Sequence, residues 1–86
     1  MITGYLYKQY PKPSKKPIYG TVSCDQKRMF LWENLESKNT HILAELRVPE
    51  IVHASTKGVL FRGFEPYGFD KTGREITKYQ EWWITK

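Results

Sequence analysis

Cys24, His41 and His53 are the residues of this 86-residue chain best suited to nucleophilic or metal chemistry. A thiol nucleophile needs a base within hydrogen-bond reach, and a metal site needs several ligands held at close spacing. Neither pattern is present. The chain has no Cys-x-x-Cys or His-x-x-x-His, and the three residues are scattered. Glu33 with Glu36 and Glu45 with Glu50 sit as surface charges flanking turns rather than as an acid–base pair. Gly63 and Gly68 flank Phe-Glu-Pro-Tyr and open no helix, so they do not form a phosphate-binding loop. The expectation is a protein with no catalytic residues, no cofactor and no metal.

Charge is more informative. The formal net charge is +5, and the stretch through Arg28 carries all of it: Lys8, Lys12, Lys15, Lys16, Lys27 and Arg28 against Asp25 alone. From Met29 onward, eight basic and eight acidic residues cancel. Three of the lysines lie among the prolines of Tyr10-Pro11-Lys12-Pro13-Ser14-Lys15-Lys16-Pro17. Proline fixes φ and removes a donor, so this segment is excluded from a central strand or helix. It is expected as an extended, polyproline-like loop that presents lysines to water, either as a solvated link or as an arm for an anionic partner. Lysine gives point charges rather than the forked donors of arginine, so such contacts select weakly.

Aromatic residues are in excess. Thirteen rings are 15% of the chain, whereas a domain this small encloses about six or seven. Trp82 and Trp83 are adjacent, and in a strand adjacent side chains point to opposite faces. Phe61 and Phe64 diverge in the same way, and Tyr5, Tyr7 and Tyr19 fall opposite the inward residues of their strands. A second aromatic face is therefore expected, covered by the proline-rich loop or the 63–69 segment, by another chain, or by unpaired bases.

The elements that would hold these residues read as strands. Val, Ile, Thr, Tyr, Phe and Trp recur in short runs bounded by turn-forming residues. Strands are expected at 2–10, with Ile2, Gly4 and Leu6 inward, and at 18–25, with Ile18, Gly20, Val22 and Cys24 inward. That alternation makes Cys24 a small core filler. A tight turn at 25–28 leads to an apolar strand at 29–33, and Glu36-Ser37-Lys38-Asn39 forms the next break. His41–Val48 alternates as a strand that Pro49 ends. A short helix near 34–47 is the alternative, because Leu31, Leu35, Ile42 and Leu46 also fit a helical stripe. Strands at 51–55, 59–69 and 74–85 follow. Ser55-Thr56-Lys57-Gly58 and Asp70-Lys71-Thr72-Gly73 are each expected as a type I turn closed by a glycine bulge.

The last hairpin admits two registers. Facing Phe61 with Trp82, Arg62 with Glu81, Phe64 with Tyr79 and Glu65 with Lys78 gives two aromatic and two opposite-charge pairs, each worth about 0.2–1 kcal/mol. The bulged turn shifts every partner by one. A second irregularity near Gly63, Pro66 or Gly68 reconciles them.

These features predict a single all-β domain over 1–86 with a basic proline-rich loop at 10–17. It would be a six- to seven-stranded antiparallel meander curled into a barrel or half-barrel of SH3-like or OB-like character. The function expected is a non-enzymatic interaction module that binds a protein partner or itself through Trp83, Tyr79, Phe64, Tyr5 and Tyr7. The alternative is a sequence-tolerant binder of single-stranded DNA or RNA, using Lys8, Lys12, Lys15, Lys16, Lys27 and Arg28 with Tyr10 and Tyr19. No apolar run has membrane-spanning length, no leader is visible at the start, and one cysteine makes no internal disulfide. A cytoplasmic protein is expected.

Overall fold

A computed structural model describes residues 1–25, 27–35 and 40–86. Six strands, β1 (Ile2–Tyr10), β2 (Ile18–Asp25), β3 (Arg28–Asn34), β4 (Thr40–Ala54), β5 (Gly58–Phe69) and β6 (Glu75–Thr85), pair in sequence order, and β6 returns to β1 to close a barrel. All neighbours are antiparallel. Among the described residues no helix is long and apolar enough to cross a membrane.

Closure follows from the alternation of side chains. One face of each strand is apolar, no helix covers it among the described residues, and curling the sheet on itself buries it. Leu6, Val22, Met29, Leu31, Ala44, Leu46, Val59, Phe61, Trp82 and Ile84 fill the interior. Gly4 pairs with Gly20 on this inward side. A Cβ at either would run into backbone, of Thr85 or of Trp32, so this pair lets the wall bend tightly.

Several expectations need correction. Residues 40–47 are strand, not helix, and the strand does not stop at Pro49. It runs through to Ala54, absorbing the separate strand expected at 51–55, so the barrel has six strands. Two register shifts, between Arg47 and Glu50 and between Ile51 and His53, accommodate the passage. Val48 takes a positive φ of 52° at the first of them. A bulge is where a strand tolerates proline, because the missing N–H is not needed in the ladder. Ile42 and Val48, which alternate on the same side as the buried Ala44 and Leu46, are exposed. Cys24 is also exposed: it keeps inward parity opposite Met29 but lies at the open lower end of the barrel, beside Met1, Ile2 and Ile51. The 11–17 loop is not an extended arm. Ser14 folds it back, its N–H donating to the Lys8 carbonyl at 2.8 Å and its Oγ accepting from the Lys8 N–H at 2.9 Å. Gln26 and residues 36–39, in the two breaks expected on either side of β3, lie outside the described residues.

The turns divide. Ser55 and Gly58 exchange both backbone hydrogen bonds, at 2.9 and 3.3 Å, which makes a two-residue connection without the expected glycine bulge. At the other turn Gly73 has a φ of 84°, and the Asp70 N–H donates to the Arg74 carbonyl, as the bulged form requires. The Asp70 carboxylate accepts from the Thr72 hydroxyl at 2.7 Å and from the Thr72 and Arg74 N–H groups at 2.9 Å each. These bonds, the Thr72 hydroxyl foremost, hold its pKa below the ordinary value.

The register conflict is resolved by the second irregularity. Phe61 faces Trp82, Arg62 faces Glu81, Phe64 faces Tyr79 and Glu65 faces Lys78, while a shift between Pro66 and Gly68 restores the bulged turn. Beyond Phe64 and Glu81 the two strands pair only with each other, forming a two-stranded arm. An ion pair between Arg47 and Glu75 ties this arm to β4.

Candidate functional site

Pleating sends Trp82 and Trp83 to opposite sides of the wall. Trp82 is 6% exposed in the core, and its indole N–H donates to the Gln80 side-chain oxygen at 2.9 Å. Gln80 is the one buried polar side chain among the described residues, and this bond satisfies the indole. Trp83 points outward, half-buried, between Tyr7 on β1 and Leu60 on β5. Its ring lies over Gly58, where an added Cβ would come within 2.6 Å of the indole.

Along the same outer face, Tyr5 stands opposite Tyr19, with ring centroids 5.3 Å apart and about half of each side chain exposed (50% and 49%). Thr3 and Thr21 share a 3.0 Å hydrogen bond beside them, and the Thr85 hydroxyl accepts from the Tyr5 N–H. Tyr19, Thr21, Thr3, Tyr5, Thr85, Tyr7, Trp83 and Leu60 thus form one continuous outward patch across β2, β1, β6 and β5. None of them carries a charge.

A second aromatic group lies above the first. The shift between Lys8 and Tyr10 turns Tyr10 outward to pair with Glu81, where uninterrupted alternation puts it on the inward side with Lys8. Tyr10 then packs against Tyr79 at 5.4 Å, and Tyr79 against Phe64 at 5.5 Å. A charged row, Glu81, Arg62 and Glu50, runs across β6, β5 and β4 below Tyr79 and Phe64. Arg62 donates to Glu50 at 2.9 and 3.2 Å, and this contact raises its pKa above the ordinary value. The partner-binding residues expected from sequence therefore separate: Trp83, Tyr5 and Tyr7 in the uncharged patch, Tyr79 and Phe64 beyond the charged row.

The basic residues also separate. Lys12, Lys15 and Lys16 are exposed on the loop that starts at Tyr10. Lys8 is half-buried, with its Nζ 5.8 Å from the Trp82 ring centroid. Lys27 and Arg28 lie at the far end of β2, about 25 Å away along an eight-residue strand. There Arg28 pairs with Glu45 at 3.8 Å. Tyr19 belongs with Tyr5 rather than with the lysine loop. The six basic residues do not make one groove.

Cys24 and His53 lie toward the lower end of the barrel, and His41, opposite Glu33, toward the upper end. Among the described residues no three His, Cys, Asp or Glu side chains are grouped to hold a metal. Sequence reasoning missed Leu60, Thr3, Thr21 and Thr85 as members of the uncharged patch. Their strand parity was legible, but their grouping depends on which strands are neighbours. No family model, curated protein or solved structure matches the chain.

Proposed function

We propose that this protein is a non-enzymatic interaction module that docks onto protein, a second copy of itself in the simplest case, through the uncharged aromatic patch centred on Trp83. The observation that carries this reading is that the core takes only Phe61 and Trp82 of thirteen rings, while Tyr5, Tyr7, Tyr19 and Trp83 share a face without charge. Protein interface cores are enriched in Tyr and Trp and depleted of Lys, Glu and Asp. A charge-free patch also lets two +5 molecules meet without like charges in contact. In its closed part the barrel has no free strand edge, so docking there proceeds through side chains.

The test is a pair of alanine variants. Trp82→Ala removes a core ring and costs about 3–5 kcal/mol, leaving the chain largely unfolded. Trp83→Ala keeps the strand spectrum but abolishes the concentration-dependent association of the parent in sedimentation velocity. Equal loss of fold in both variants, or a parent that stays monomeric throughout, contradicts the reading.

A further inference from the structure

The upper aromatic group has a different character from the uncharged patch. Tyr10, Tyr79 and Phe64 form a continuous run of rings across β1, β6 and β5, with Tyr10 49% and Phe64 40% exposed. Tyr10 leads directly into the loop whose charged residues are Lys12, Lys15 and Lys16. Among the described residues none of these lysines makes an ion pair. Ser14 ties the middle of the loop back to Lys8, so the three exposed lysines are carried close to the end of β1 that bears Tyr10.

We infer that this upper surface binds single-stranded nucleic acid, with bases stacking on Tyr10, Tyr79 and Phe64 and backbone phosphates meeting Lys12, Lys15 and Lys16. Rings give every base a face to stack on, and unpaired lysines beside them follow a phosphate backbone without reading sequence. Charge complementarity selects a polyanion over a second copy of this chain, which would bring its own lysines to the contact. An unpaired strand fits better than a duplex because stacking on side chains requires bases not already stacked in a helix. The surface is separate from the Trp83 patch, so the two proposals fail independently.

The experiment titrates a fluorescent oligothymidylate with the full chain and follows anisotropy at several salt concentrations. Three phosphate contacts give a log–log slope of about −2, so affinity falls about twentyfold for a fourfold rise in salt. Combined Lys12→Gln, Lys15→Gln and Lys16→Gln removes most of this slope. The pair Lys57→Gln and Lys86→Gln, at the opposite end of β5 and β6, keeps it. Tyr10→Ala weakens binding at high salt, where stacking dominates. No binding at low salt, equal loss in the two lysine sets, or equally tight binding of an acidic peptide overturns the proposal.

Discussion

Gln80 serves a purpose that its type alone does not suggest. It sits 4% exposed inside the barrel and accepts the Trp82 indole N–H, so the largest ring of the core is buried without an orphaned donor. A buried donor left unsatisfied costs about 1–3 kcal/mol. Gln80→Ala is therefore expected to lower unfolding stability by at least that range in a urea titration, because a small cavity is added to the lost bond. A neutral result would show that the indole finds another acceptor. The inward parity of residue 80 was readable from Trp82 and Ile84; its bond was not, because a glutamine two residues before a tryptophan is an ordinary surface pattern. Cys24 erred in the other direction. Alternation assigned its side correctly, but burial depends on depth along the barrel axis, and parity says nothing about depth.

At the scale of the element, β4 and the β5–β6 hairpin show what local chemistry specifies. In the hairpin, opposite charges and rings argued for one register and the turn for another, and the shift between Pro66 and Gly68 that satisfies both lies at one of the positions where the sequence allowed an irregularity. β4 needed information from its neighbours: a proline that ends an isolated strand is tolerated where a bulge removes the need for its N–H. That bulge holds Val48, a β-branched residue, at a positive φ while leaving it 73% exposed. The conformation costs a non-glycine residue about 1–2 kcal/mol, and little packing offsets it. Val48→Gly should thus gain about 0.5–1 kcal/mol after glycine's larger chain entropy is subtracted, raising Tm by a few degrees. A clear fall in Tm would mean that the valine side chain contributes more than its exposure indicates. The same bulges and Pro49 blunt the lower part of β4, where the strand passes beyond β3, against pairing with another chain.

For the molecule as a whole, closure distinguishes inside from outside, and two surfaces follow from it. A meander of alternating strands implied the barrel, and adjacent tryptophans implied rings on both sides of its wall. The division of the outer rings was not legible. The shift at Lys8 and Tyr10 carries Tyr10 outward to Tyr79, and a charged row that starts beside Tyr10 separates Trp83 from Tyr79 and Phe64. Both depend on which residues of β1, β5 and β6 lie side by side, which the spacing within any single strand does not encode. The far separation of Lys27 and Arg28 from the proline-rich loop has the same origin, since β2 runs between them. The central claim is that the uncharged patch is where copies of the chain meet. The most direct measurement is an NMR dilution series on the labelled protein, following backbone amides and the three indole N–H signals. Concentration-dependent shifts are expected at Tyr5, Tyr7, Tyr19, Leu60 and the Trp83 indole, with the Trp82 indole unmoved. Spectra that do not change with concentration, or shifts confined to Val48–Val52, would contradict the account.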